Sequence, residues 1–283
     1  AAVSSSGSLI FMLIGFLSGI ASGAGVIVAR RFGAGDREGL HKAVHTTVAL
    51  GIVSGILMTV VGVLLSPQIL RWMDTPESVM PGSVAYLQIY FCGSLGFVMY
   101  NIFVGILQAV GDSRRPLYYL IVSSVVNLVL DIVFIGFVKT GVGGAALATV
   151  ISQMVSAFLC LLQMVRSKEI YRLELKRIAF DGKMLKEIIR IGLPSGVQNS
   201  IIAFANVVVQ SNINAFGEMA MAGYGAYTKV EGFGFLPITS FTMALTTFVG
   251  QNLGAKQYDR TRKGAKFGIL VTVVLAELIG IVV

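Results

Sequence analysis

Charge is what this chain has least of. Only 13% of its 283 residues are Asp, Glu, Lys or Arg, against about 25% in soluble domains. That excludes an ordinary water-soluble enzyme or binding module, whose surface needs charge to stay in solution. Cysteine is scarce as well: Cys92 and Cys160 are the only two. Both lie inside apolar runs, so no disulfide is expected and the compartment cannot be read from them. The only histidines, His41 and His45, stand four apart at the edge of an apolar run. Two ligands do not make a metal site, and they read as interfacial residues. The zinc-protease helix motif, the nucleophile elbow and the phosphate-binding loop are all missing. Enzymatic activity and an ATPase of its own are therefore not expected, and neither is a cofactor.

What the chain does have is hydrocarbon. It is 55% hydrophobic with a mean hydropathy of +0.82. A bilayer span takes about 20 apolar residues, and eight such runs are present: Ser5–Ala29, Val44–Leu65, Ser83–Val110, Leu117–Val138, Val142–Val165, Ile188–Phe216, Met219–Val249 and Phe267–Val283. The fold class expected is an all-α polytopic membrane protein. The net charge of +8 is not a nucleic-acid signal, because it sits in alternate loops. Arg30, Arg31, Arg37 and Lys42 follow the first run, Arg114 and Arg115 the third, a basic stretch from Arg166 to Arg190 the fifth, and Lys256 to Lys266 the seventh. The intervening loops hold only Arg71 and Lys139. The excess of Lys and Arg assigns these loops to the cytoplasmic side of a cell membrane. The first run then starts outside and the last stops at the chain end, so the sequence reads as a fragment lacking one span upstream and more downstream.

An internal repeat sets the architecture. Val28-Ala29-Arg30-Arg31-Phe32-Gly33-Ala34 is similar to Val249-Gly250-Gln251-Asn252-Leu253-Gly254-Ala255, at an offset of 254 − 33 = 221 residues. An even number of runs separates the copies, so the halves share orientation, as in parallel-repeat transporters. The expected division is residues 1–165 as an N-terminal lobe, 166–187 as a linker and 188–283 as the start of a second lobe. The linker's charges suit a solvated connector, or in part an amphipathic helix lying on lipid. Gly15, Gly19 and Gly23, like Gly51 and Gly55, are spaced for close helix packing. Trp72 beside Arg71 reads as an interfacial anchor.

Asp131 is the residue that asks for a function. It is the only charged side chain in Leu117–Val138, where an ionised carboxylate costs about 2.5–3.5 kcal/mol on insertion scales. Tyr119, Ser123, Asn127 and Asp131 are four apart and share a helix face. Burial favours the protonated carboxyl, so Asp131 could carry a proton; with oxygen neighbours it could instead hold Na⁺. The alternative is a structural carboxylate bonded to a neighbouring helix. Asn101 and Thr149 could add oxygens to the same pocket, or bond to neighbouring helices. The sixth run carries Gln198, Asn199, Asn206 and Gln210, an amide stripe suited equally to a wet cavity or to holding helices together. Pro194 near its start and Pro237 in the seventh run suggest bends. Glu231 in the seventh run is a second cavity carboxylate or half of an ion pair, with Lys229 nearby but on another face.

Several stretches resemble the multidrug and toxic compound extrusion (MATE) family. They are Gly33-Ala34-Gly35-Asp36, Tyr100-Asn101 through Gly111-Asp112-Ser113-Arg114-Arg115-Pro116, Asn127-Leu128-Val129-Leu130-Asp131, Gly143-Gly144-Ala145-Ala146-Leu147-Ala148-Thr149, Ile191-Gly192-Leu193-Pro194 and Glu231-Gly232-Phe233. The resemblance implies a twelve-helix fold in two six-helix lobes around a central cavity, of which this chain supplies helices two to nine. It implies exchange of H⁺ or Na⁺ for amphipathic, often cationic, drugs, with no ATPase partner. By the same resemblance Asp131, Asn127, Asn101 and Thr149 match the cation-coupling pocket of the N-terminal lobe. That pocket also uses an acid on helix one, which this chain lacks, so the fragment alone is not expected to transport. One branch of the family carries a glutamate around the position of Ile202, and its cation site does not carry over. Two other readings are a flippase for lipid-linked saccharides, which would line its cavity with Lys or Arg, and a non-transporting scaffold, which has no use for an aligned Asn–Asp pair.

Overall fold

The structure is a computed structural model that describes residues 7–72, 77, 80–214 and 216–282. Among these it is helical and contains no strand. The helices are α1 (Gly7–Gly33), α2 (Arg37–Trp72), α3 (Met80–Cys92), α4 (Ser94–Ala109), α5 (Arg114–Asp131), α6 (Gly141–Arg166), α7 (Gly182–Asn214), α8 (Glu218–Gly254) and α9 (Tyr258–Val282). Each apolar run has become helix because hydrocarbon offers no partner to the backbone, and a helix satisfies its own N–H and C=O groups. Six of the helices, or seven with α3 and α4 taken as one bent span, are long and apolar enough to cross a membrane. Residues 1–6, Val283 and the side chain of Trp72 lie outside the description, and with them the proposed interfacial anchor.

The basic ends of the helices are joined by one recurring turn. Ala34, Gly35 and Asp36 donate to Arg30, Phe32 and Arg31, and Ala255, Lys256 and Gln257 donate to Gln251, Leu253 and Asn252. Each donor and each acceptor is displaced by 221 residues. The middle residue is left-handed in both copies, with φ of +66° at Gly35 and +57° at Lys256. Gly111 repeats the device at the end of α4, with φ +92°. A left-handed residue after the last helical turn caps the free carbonyls. After Gly35 and Gly111 comes an aspartate: Asp36 Oδ1 accepts from Gly39 N–H and Asp112 Oδ1 from Arg115 N–H, capping the next helix.

The repeat pairs with itself. Gly33 packs against Gln251, and Gly254 packs against Arg30, each leaving no room for a Cβ. Since 30 + 221 = 251 and 33 + 221 = 254, these contacts exchange under the repeat. Further along, Gly19 and Gly23 of α1 lie against Gly196 and Gly192 of α7, again without space for a methyl. The halves are thus sealed together from their basic end towards the middle of the bundle. The core sits at this end, around the fully buried Val28, Leu40, Val44, Leu107 and Met164.

The structure refines one expected span and corrects the expected linker. The run Ser83–Val110 is not one straight helix: it breaks at Gly93 and bends by 44°. A Cβ at Gly93 would come within 2.5 Å of Val150 Cγ2, so α6 fills the break. The linker is not a solvated connector. Its non-helical part is residues 167–181, apart from a short 3₁₀ turn at Leu175–Arg177, and it is docked on the N-terminal half. Leu173 is 1% and Tyr171 5% exposed, and burying a leucine contributes about 1.5–3 kcal/mol. Glu174 N–H donates to His45 Nε2 at 3.0 Å, and Asp181 N–H to Thr46 Oγ1 at 3.0 Å. Helices α7 and α8 each continue as helix through Pro194 and Pro237.

Candidate functional site

The α5 stripe is turned inward. Ser123 is buried and Tyr119, Asn127 and Asp131 are half-buried, whereas Leu120, Ile121, Val125, Leu128 and Val129 face outward. An oily exterior suits lipid and leaves the polar face for the bundle. Ser123 Oγ donates to Ser152 O at 2.6 Å and so fixes α5 on α6. Beyond it the bonding stops: Asn127 Nδ2 and Asp131 Oδ1 are buried with no hydrogen-bond partner among the described residues. The backbone then widens into a π-helical segment, Ile132–Phe137, a form that often marks functional positions. Tyr86 of α3 lies within electrostatic reach of the Asp131 carboxylate.

A second feature lies between the halves. A cleft of about 340 Å³ is bounded by α1, α4 and α8. Its polar lining is Ser22, Asn101, Gln108, Thr242, Thr246 and Thr247, and no charged side chain lines it among the described residues. Gly25 and Gly105 bring α1 and α4 close along one wall. The floor is bonded shut: Gln251 Nε2 donates to Ala109 O at 2.8 Å and Thr247 Oγ1 to Gln108 O at 3.4 Å. Below it lie the Gly33 and Gly254 contacts and an ion cluster in which Arg31 pairs with Asp36 at 3.1 Å and Glu187 at 3.2 Å. The Gly39 amide, then Arg31, holds the Asp36 carboxyl below its ordinary range despite some burial. A volume of this order and a largely apolar wall with a few neutral polar groups suit a small organic molecule.

The expected site residues do not converge on one cavity. Asn101 donates to Phe97 O at 2.8 Å and opens onto the cleft. Thr149 donates to Ala145 O at 3.0 Å and opens onto a separate small void with Gln153. Gln198 lies on a shallow outward face of α7 with Pro194 and Ile202. Asn206 is exposed, and Asn199 and Gln210 are half-buried. Glu231 is half-buried and accepts from Tyr227 Oη at 3.3 Å, while Lys229 is exposed. None of these α7 and α8 residues lines the cleft. Sequence reasoning passed over Thr242, Thr246, Thr247 and Gln251, although 247 and 251 are four apart in the repeat-bearing helix. It passed over Tyr86 and Gln153 because a lone tyrosine or glutamine in a span carries no pattern. His41 and His45 stack at 3.8 Å between centroids and serve the linker. Among the described residues no cluster of His, Cys, Asp and Glu could hold a metal ion.

The MatE family model matches residues 1–133 and 194–283. The chain belongs to the MatE family. MatE proteins are transporters, not enzymes. A probable multidrug resistance protein, YoeA of Bacillus subtilis (strain 168), is 32% identical over 100% of this chain and 63% of its own length. A second from that organism, YpnP, is 30% identical over 90% of the chain and 56% of its own length. A crystal structure of a MATE protein in a bent conformation superposes with a TM-score of 0.90 at 25% identity, covering 97% of this chain and 62% of that one. This MatE chain therefore spans about 60% of the length of the relatives it matches.

Proposed function

We propose that the protein to which this chain belongs exports amphipathic or cationic small molecules across the cell membrane, in exchange for H⁺ or Na⁺ entering through the N-terminal lobe. The carrying observation is the pair Asn127 Nδ2 and Asp131 Oδ1, turned into the bundle and left without partners. A carboxylate oxygen kept from water without a partner counts against the stability of the fold, which selection tolerates when the group binds and releases something. In this reading residues 1–165 are the N-terminal lobe, 166–187 the cytoplasmic linker and 188–283 the start of the second lobe. Substrate enters the cleft beside Asn101, Gln108 and Thr246. With the basic end sealed, the cleft belongs to the outward-facing state. Binding a cation at Asp131 drives exchange only if it favours one state over the other. Relatives with multidrug resistance in their names support the substrate class.

The test is efflux of a cationic dye by cells expressing the full-length parent, with external pH and Na⁺ varied independently. Asp131→Asn is expected to abolish gradient-driven efflux while leaving membrane expression unchanged. Native-rate efflux by that variant refutes the proposal, and the ion whose removal stops the parent identifies the coupling species.

A further inference from the structure

An oxygen without a partner inside a membrane bundle is costly, because hydrocarbon cannot replace the missing bond. At the bend between α3 and α4 two such oxygens face the same space. A void of about 10 Å³ lies between α2, the α3–α4 bend and α6, lined among others by Met58, Tyr90, Ser94, Thr149 and Gln153. Ser94 is 2% exposed. Its Oγ, like Gln153 Oε1, is buried with no hydrogen-bond partner among the described residues.

The bend explains why Ser94 is bare. Ser54, Ser124, Ser195 and Ser200 each donate to the carbonyl four residues back. For Ser94 that carbonyl is Tyr90 O, which lies across the break and accepts from Gly93 N–H instead. Ser94 is the first residue of α4, so its hydroxyl is left pointing into the joint. Opposite it Thr149 gives its own proton to Ala145 O, which leaves its lone pairs free to accept.

We infer that this void is the binding site of one buried water molecule, which accepts the Ser94 hydroxyl proton and donates to Gln153 Oε1 and Thr149 Oγ1. A buried water needs about 10–15 Å³ by this measure and commonly makes about three hydrogen bonds; the void reaches the lower figure, and Ser94, Thr149 and Gln153 line it. A cation fits less well, because no carboxylate lines the space among the described residues and a buried charge demands a counter-charge. The water ties the first turn of α4 to α6 and completes the joint that the broken helix leaves open. This assignment stands whether or not the protein is an antiporter.

Radiolytic footprinting of the chain in lipid nanodiscs tests it, since radicals born at a bound water oxidise the side chains beside it. Met58 lines the void and is itself half-buried, so the reading is its oxidation rate in the variants relative to the native chain, with the fully buried Met164 as the internal reference. In Gln153→Leu the Met58 rate should fall several-fold while the Met164 rate stays unchanged; Ser94→Ala gives the same reading if the leucine variant does not fold. A Met58 rate unchanged in both variants would overturn the inference. So would loss of Met58 oxidation when choline is replaced by Na⁺, which would mean that a cation occupies the void.

Discussion

Gly254 sits against the backbone carbonyl of Arg30, and Gly33 sits against Gln251, one contact being the repeat image of the other. Sequence repetition has here become a physical joint, in which two copies of one helix end meet and close the bundle. Because neither site has room for a Cβ, closure depends on glycine at both.

Opening should follow from adding a single methyl. Gly254→Ala and Gly33→Ala are each expected to part the halves, since the facing atoms are backbone and cannot turn aside. A cysteine placed at Gln108, behind the floor, reports it: membrane-impermeant maleimide applied from the basic side should label it at least about tenfold faster in either alanine variant, an equilibrium shift of about 1.4 kcal/mol. Equal labelling in native and variant proteins would show that the glycine contacts do not set the closed state.

The linker's attachment runs through His45. Its Nε2 accepts from Glu174 N–H, so the ring proton is on Nδ1, which donates to His41 O at 2.8 Å. His45→Ala leaves a buried N–H unpaired, and such a group costs about 1–3 kcal/mol. Trypsin should then cut after Lys176 and Arg177 several-fold faster than in the native chain, with the helices still resistant. Unchanged cleavage would mean that burial of Tyr171 and Leu173 holds the linker alone.

Acid should loosen the basic end through Asp36 and Asp181. The Gly39 amide and Arg31 lower the Asp36 pKa, and the amides of Met184 and Lys183 lower that of Asp181. A carboxylate whose folded pKa lies below its unfolded value binds fewer protons folded than unfolded. Its contribution is therefore complete above the unfolded value of about 3.9 and is lost as pH falls through the folded one. Hydrogen exchange at Gly39 and Met184 should stay slow down to about pH 4 and accelerate below it. Asp36→Asn and Asp181→Asn should raise exchange at neutral pH and flatten the profile; a native profile in those variants would remove the carboxylates as the cause.

Much of this fold could be read from hydrophobic runs, because in a bilayer the backbone must close its own hydrogen bonds. The repeat was legible too, and its 221-residue offset holds down to the turn conformation. What escaped was tertiary. Nothing in Ser83–Val110 announces the bend at Gly93, since glycine is common inside spans. The linker looked polar because its charges are on the surface, while Tyr171 and Leu173 alone carry it into the core. Asp131 stood out because charge is rare in oil; Thr246 and Gln153 did not, because neutral polar residues are ordinary there.

The repeat also exposes a strained residue. Lys256 occupies the left-handed position that Gly35 fills in the first copy, with φ of +57°. A side chain there costs about 1–2 kcal/mol, partly offset by the extra unfolded-state freedom of glycine. Lys256→Gly should therefore raise stability by about 0.5–1 kcal/mol, seen as a higher thermal midpoint in nanodiscs. A fall would mean that the lysine head group makes a compensating contact at the membrane surface.

Asp131 offers the sharpest distinction between a binding group and a structural one. If its carboxylate anchors neighbouring helices, replacing it breaks bonds and the protein loses stability. Its Oδ1 has no such bonds, so Asp131→Asn, the same shape without the charge, should be neutral or stabilising by about 1 kcal/mol or more. Asn127→Leu should behave alike, because Nδ2 is equally unpaired. Ser123→Ala is the control: it removes the Ser152 bond and should cost about 1 kcal/mol. Thermal or denaturant unfolding of the three variants in one lipid settles the matter. If Asp131→Asn destabilises as much as Ser123→Ala, the carboxylate is structural and the role proposed for it fails.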